Sequence, residues 1–292
     1  MIKILVTGAS GQLARNLQDK VHAKNYTDKE FLFMSRKELS INDEKMLKDF
    51  FSSQKIDICI NCAACTNVDQ AESNTELAYV INTLGSRILA SLCNLHGSLL
   101  IHISTDYVFD GQAQQPYKES DITRAINVYG DSKRAGELAI IEQIKCYFIV
   151  RTSWLFSKFG SNFIKTVYEH AKTKKSLKVV KDQYGSPTFA DDLAEFLLFL
   201  VENQHSSYGI YHFSNQGVCS RYELAEALLS ITSQTTTFLK PILRDVYHTG
   251  ALRPPYSALD TTKVRETFKY NIPYWNKSLR HFVESLNFSE IF

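Results

Sequence analysis

The first apolar run of the chain, Ile2 to Val6, passes directly into Gly8-Ala9-Ser10-Gly11-Gln12-Leu13-Ala14 and from there into a helical pattern. Few folds accommodate a strand that turns through two glycines into a helix. Gly8 takes the sharp turn, Gly11 lets the backbone approach a bound group, and Ala14 is small enough for the helix to lie against the strand. The helix N-terminus offers unpaired N–H groups and a partial positive charge, which together suit a diphosphate. A dinucleotide is therefore the expected occupant, contacting Gly8, Ser10, Gly11, Gln12 and Leu13.

The pattern that follows supports a parallel sheet. Helical spacing over Gln12–Ala23, Asp43–Phe51, Leu77–Leu95 and Val128–Gln143 alternates with apolar runs at Phe31–Met34, Ile56–Asn61, Leu99–Ile103 and Tyr147–Arg151. Such alternation gives an α/β fold with helices on both faces of the sheet. Ligands in these folds bind beyond the carboxyl ends of the strands. The chemistry is expected just after Val6, Met34, Asn61, Ile103 and Arg151.

After Arg151 the order changes. Helices are expected at Asn162–Lys172 and from Asp191, as a cap, to about Glu202. Short strands are expected at Leu177–Val180 and Gly209–Phe213. Ser220 and Glu223 have capping-box spacing before a further helix. Residues 1–155 are read as the dinucleotide domain. Residues 156–292 are read mainly as a smaller substrate lobe, with the helix at about 191–203 packing back onto the first domain.

The residues after Met34 bear on the choice of cofactor. An Asp there would suit the two ribose hydroxyls of NAD. The chain instead has Ser35 and Arg36, and a hydroxyl beside a guanidinium fork suits a 2′-phosphate. NADPH is expected, with NADH as the alternative.

Tyr129 and Lys133, in VYGDSK, share one face of a helix. A phenol has a pKa of about 10, and a neighbouring ammonium lowers it toward the range useful for proton transfer. Spacing alone is weak, because Tyr and Lys four apart are common on surface helices. Position gives the pair its weight: it follows a strand ending in Ser104-Thr105-Asp106, and Thr105 can donate to the oxygen that Tyr129 would protonate.

Composition excludes other classes of function. Of 292 residues, 44% are hydrophobic and 22% charged, with a net charge of +2, ordinary for a globular protein and too weakly basic for a nucleic-acid binder. The basic stretch Lys172–Lys181 is read as a solvated helix end, or as a weak field for an anionic substrate. No secretory signal precedes the first strand, and the longest apolar run, Phe196–Val201, is too short to cross a bilayer. A cytoplasmic protein without nucleic-acid or membrane partners is expected. Its cysteines, Cys62 and Cys65 of the C-x-x-C included, are expected to be reduced thiols.

The runs GASGQLA, NCAACTNVDQAE, YVINTLG, ISTDYVFDG, NVYGDSKRAGE, VRTSWLF, Asn162-Phe163, DQYGSPT and RPPYSAL occur in this order. Together they resemble the dTDP-4-dehydrorhamnose reductases, a branch of the extended short-chain dehydrogenase/reductase family, over nearly the whole chain. The resemblance implies a Rossmann-type doubly wound parallel sheet with a smaller C-terminal substrate-binding lobe. It also implies NAD(P)H-dependent reduction of the 4-keto group of dTDP-4-dehydro-L-rhamnose to dTDP-L-rhamnose, for cell-surface polysaccharide synthesis.

By the same resemblance, Thr105, Tyr129 and Lys133 take the catalytic places, with Tyr129 and Lys133 also contacting the cofactor and Lys133 holding the nicotinamide ribose. Ala63, Ala64 and Thr66 line the cofactor, and Asn82 supports the lysine. Asp106 and Trp154 face the sugar, although a tryptophan after a strand is also often simply core. Arg253 is placed to pair with the nucleotide diphosphate or to form a surface salt bridge. Some relatives dimerise through magnesium held by carboxylates early in the first helix. Here that stretch reads Ala14-Arg15-Asn16, so no metal is expected, and the chain is read as a monomer or homodimer. Two alternatives stay open: a reductase or epimerase of another nucleotide sugar, and a non-catalytic NAD(P)-binding regulatory subunit.

Overall fold

The computed structural model describes residues 1–203, 205–232, 237–246 and 250–286. In chain order the first half comprises β1 (Ile2–Thr7), α1 (Gln12–Lys24), β2 (Lys29–Met34), α2 (Glu44–Gln54), β3 (Ile58–Asn61), α3 (Val68–Ser73), α4 (Thr75–Tyr79), α5 (Gly85–His96), β4 (Leu99–Thr105), α6 (Val128–Gln143) and β5 (Tyr147–Thr152). The second half comprises β6 (Leu155–Phe156), α7 (Phe163–Thr173), β7 (Ser176–Val180), β8 (Tyr184–Gly185), β9 (Thr188–Phe189), α8 (Ala190–Asn203), β10 (Gly209–His212), β11 (Cys219–Ser220), α9 (Arg221–Ile231), β12 (Phe238–Ile242), α10 (Thr262–Phe268) and α11 (Trp275–Ser285).

The main sheet has six strands in the order β10-β5-β4-β3-β1-β2. Every pairing in it is parallel. This is the Rossmann-like sheet with flanking helices and a smaller C-terminal lobe. The chain leaves β1 toward β2, then crosses back to place β3 on the other side. The crevice between the ends of β1 and β3 is therefore the topological switch point, where open α/β sheets bind ligands.

Side chains alternate across the strands, so both faces are apolar. Ile4, Val6, Ile60, Phe148 and Val150 pack under α1 and α8. Leu5, Cys59, Leu100 and Ile149 pack under α2, α5 and α6. A separate cluster fills the small lobe, where Phe156, Phe189, Leu224, Leu228, Leu279 and Phe282 meet.

Several helices start where the sequence signals a cap. Asp43, Asn127 and Asn162 accept from backbone N–H groups of the first turns of α2, α6 and α7. Ser220 and Glu223 form the full capping box of α9.

Four elements depart from the sequence reading. The strand at Gly209 does not belong to the small lobe: β10 lies parallel to β5 at the edge of the main sheet, with Tyr211 opposite Val150. Asp191 does not cap α8 but lies inside its first turn. The helix expected over Leu77–Leu95 starts at Thr75 and contains a π-helical turn at Val80–Leu84. The short α3 was not anticipated, since its polar VDQAES run carries little hydrophobic periodicity.

Candidate active site

A cleft of about 420 Å³ opens at the switch point. Its lining includes Gly8, Ser10, Gly11, Gln12 and Leu13 from the glycine turn, Arg36 after β2, and Ala63, Ala64 and Thr66 after β3. Thr105, Asp106, Tyr129, Lys133 and Trp154 complete it. Three of the expected residues, Ser35, Asn82 and Arg253, stand outside this lining.

The glycine turn is set by close packing. Gly8 has φ +69°, and a Cβ there would stand 2.7 Å from the Ala63 nitrogen. Only glycine lets the two strand ends approach this closely, and the flat cradle that results faces the N-terminus of α1. The turn is also tied to the small lobe. Asn162, which caps α7, donates to the Gln12 side-chain oxygen at 3.0 Å, and Asn16 donates to the Ser157 hydroxyl at 2.7 Å.

After β2, Ser35 turns away from the role expected of it. Its hydroxyl and its backbone N–H both donate to Glu38, at 2.6 and 2.9 Å. These bonds hold the Glu38 carboxyl below its usual range. Arg36 alone of the pair lines the cleft.

Asn82 acts at one remove. The π turn carries it out of helical register, as such turns often do near functional sites. Its oxygen accepts from the Cys65 N–H at 2.8 Å, and its nitrogen donates to the Cys65 carbonyl at 3.1 Å and the Ser132 hydroxyl at 2.9 Å. It thus fastens the loop after β3 to the helix that carries Tyr129 and Lys133.

Tyr129 is held protonated. Burial pushes its phenol well above the ordinary range, while the neighbouring Thr105 hydroxyl pulls it down. The lowering by Lys133 expected from the sequence is absent for a geometric reason. The Lys133 amino group is turned toward the sheet, 2.6 Å from the Ile103 carbonyl and 3.1 Å from His102 Nε2. Burial brings Lys133 itself down to about 8.

Thr105 ends β4. Its hydroxyl donates to Asp106 at 3.1 Å and accepts from the Tyr107 N–H at 3.2 Å. Burial raises Asp106 to about 6, opposed by the nearby Ser257 hydroxyl, the hydrogen bond from Thr105 and the charge of Arg221.

Trp154 adopts the left-handed region at φ 46°, uncommon for a bulky side chain. Its ring lies so close over Gly185 that a Cβ there would be 2.5 Å away. The ring belongs both to the lobe core and to the cleft wall. Asp106 Oδ2, Trp154 Nε1 and Ser257 Oγ are buried without a hydrogen-bond partner among the described residues. Buried polar groups of this kind call for a bound polar partner.

Arg221 was not signalled by the sequence. It opens α9, and its guanidinium lies 3.6 Å from the centre of the Trp154 ring and 4.9 Å from that of Phe163. With Arg253, Asp69, His170, Lys178 and Gln183 it lines a second cavity of about 390 Å³. Arg253 pairs with Asp69 at 2.8 Å, and this pairing holds the Asp69 carboxyl below its usual range. Spacing offers no clue to Arg221, because its ring partner is distant in sequence.

Behind α6, Glu137 receives Arg151 through two nitrogens, at 2.7 and 2.9 Å. Both side chains are 3% exposed. The pair locks α6 to β5 beneath the catalytic face.

Residues 2–288 match the family described as the RmlD substrate binding domain. The chain is 38% identical over 284 residues to the spore coat polysaccharide biosynthesis protein SpsK of Bacillus subtilis (strain 168), covering 97% of this chain and 98% of that one. It is 38% identical over 293 residues to the dTDP-4-dehydrorhamnose reductase of Aggregatibacter actinomycetemcomitans, covering 96% and 98%. The crystal structure of the Bacillus anthracis str. Ames dTDP-4-dehydrorhamnose reductase in complex with NADP superposes with a TM-score of 0.92 at 37% identity, covering 98% of this chain and 100% of that one. The chain therefore belongs to the dTDP-4-dehydrorhamnose reductase (RmlD) family and is an NAD(P)H-dependent oxidoreductase.

Proposed function

We propose that the protein reduces the 4-keto group of dTDP-4-dehydro-L-rhamnose to give dTDP-L-rhamnose, with NADPH preferred and NADH accepted. The observation that carries this reading is that one cleft gathers the glycine turn with Thr105, Tyr129 and Lys133. Seated along the turn, NADPH supplies the hydride. Tyr129, buried and protonated, supplies the proton to the 4-oxygen. Thr105 donates to the same oxygen as charge develops on it. Lys133 lines the same cleft and would hold the nicotinamide ribose.

The unpartnered Asp106 and Trp154 atoms, both on residues of the cleft wall, suit sugar hydroxyls. The second cavity, with Arg221, Arg253 and Lys178 in its wall, suits the nucleotide diphosphate. Arg36 in the cleft wall favours NADPH, although the Ser35 hydroxyl is engaged by Glu38. The test is NADPH oxidation with dTDP-4-dehydro-L-rhamnose as substrate, repeated with NADH and with UDP-linked 4-keto sugars. Stoichiometric NADPH consumption with the dTDP sugar is expected. Turnover with UDP sugars alone would reassign the substrate, and interconversion of sugars without net oxidation would make the protein an epimerase.

A further inference from the structure

Three polar side chains form a row across an otherwise apolar part of the sheet. Thr7 is the register partner of Asn61, and Asn61 that of His102. Their exposures are 0%, 1% and 0%. The Thr7 hydroxyl donates to Asn61 Oδ1 at 2.7 Å, and the Ala63 N–H reaches the same oxygen at 3.2 Å. Asn61 Nδ2 lies 3.0 Å from His102 Nδ1, and His102 Nε2 lies 3.1 Å from Lys133 Nζ.

Each contact constrains the next. A backbone N–H can only donate, so Ala63 fixes which end of the Asn61 amide is oxygen. The Asn61 nitrogen must then donate, and His102 Nδ1 must accept. Burial first, and then the charge of Lys133 whenever that group is protonated, hold His102 well below the ordinary imidazole range, so the ring is neutral and carries a single N–H. That hydrogen sits on Nε2 and points at Lys133. An ammonium has no lone pair to receive it, whereas a neutral amine does.

We propose that Thr7, Asn61 and His102 form a positioning row for Lys133, in which His102 donates from Nε2 to a neutral ε-amino group. Protonation of Lys133 then requires the imidazole to change tautomer and the Asn61 amide to turn over, giving up its bond from the Ala63 N–H. The charge of the lysine is thereby linked to the backbone at Ala63, which lines the same cleft. Other groups face Lys133 as well. Glu137 and Tyr129 lie on α6, Cys62 follows β3, and Arg151 of β5 is held by Glu137. Glu137 and Cys62 favour the cation, while burial favours the amine.

The inference takes from the proposed function only the place of Lys133 in the cleft, and its test uses no substrate. Full-length protein labelled with 15N-histidine and 13C-lysine is titrated by NMR, with His102→Gln and Lys133→Met assigning the signals. Above the Lys133 midpoint, His102 is expected to carry its proton on Nε2. As pH falls through that midpoint, the proton is expected to pass to Nδ1. Asn61→Asp, whose carboxylate accepts from Nδ1–H, is expected to hold the second tautomer at every pH and raise the Lys133 midpoint by at least about one pH unit. A His102 ring protonated at Nδ1 throughout, or a tautomer that stays constant across the Lys133 titration, would overturn the proposal. The wild-type titration decides this even if the variant does not fold. Absence of reductase activity would bear on the substrate reading alone.

Discussion

The guanidinium of Arg221 lies over the ring of Trp154, 3.6 Å from its centre, and so joins the wall of the switch-point cleft to that of the second cavity. A cation stacked on an aromatic ring contributes about 0.5–2 kcal/mol, and a charge-assisted hydrogen bond to a ligand about 1.5–3 kcal/mol. Arg221→Leu should raise KM for the nucleotide sugar about tenfold while changing kcat less than about threefold. Steady-state kinetics at saturating NADPH gives both. An unchanged KM would reduce the guanidinium to a packing role.

Tyr129 supplies the proton in the proposed reaction, and its burial keeps that proton in place at neutral pH. Tyr129→Phe should lower kcat at least ~100-fold and change NADPH affinity far less, since the cofactor contacts proposed along Gly8 to Leu13 are untouched. Turnover by stopped-flow and affinity by quenching of protein fluorescence separate the two effects. A fully active variant would remove Tyr129 from the mechanism.

Asp106 carries a pH signature. Its folded-state pKa is raised from 3.8 to about 6 by burial. The folded protein thus keeps a proton that the unfolded chain has already lost between these values. Its contribution to stability falls as pH rises from about 4 to about 6 and is flat above. The loss is of the order of 3 kcal/mol. Urea unfolding of wild type and Asp106→Asn across this range should show the difference between them changing by that amount. Parallel curves would place the carboxyl in a more solvated setting.

Glu137 and Arg151 are paired away from water, so removing one charge strands the other. Glu137→Gln should cost about 3–5 kcal/mol in unfolding free energy, a larger loss than surface substitutions give. Chemical denaturation measures it, and a cost below about 1 kcal/mol would mean that water reaches the pair.

Local patterns in the sequence located the first five strands of the main sheet, the Ser220–Glu223 capping box and the glycine turn, because each depends on a few adjacent residues. The runs around Thr105, Tyr129 and Trp154 likewise placed the residues that line the cleft. What the sequence did not reveal depends on partners far along the chain. Arg221 meets Trp154 only after folding, and Ser35 looked available until Glu38 took its hydroxyl. The strand at Gly209 was recognisable as a strand, but periodicity does not say which sheet it joins. One signal was present and unread: His102 interrupts the apolar run Leu99 to Ile103, and a polar residue there needs buried partners.

The return of the chain to the main sheet has a consequence for handling the protein. Once β5 is complete, the backbone builds β6, α7 and β7 to β9 before coming back with α8 and β10 and leaving again. A fragment cut after residue 155 would lack α8, one of the two helices that cover one face of the sheet, and the strand β10 that pairs with β5. It would present a partly uncovered apolar face and an open strand edge, the two features that drive aggregation. The two lobes are thus interleaved rather than strung in series, and neither can be excised, swapped or expressed as a separate folding unit by cutting the chain at a single point.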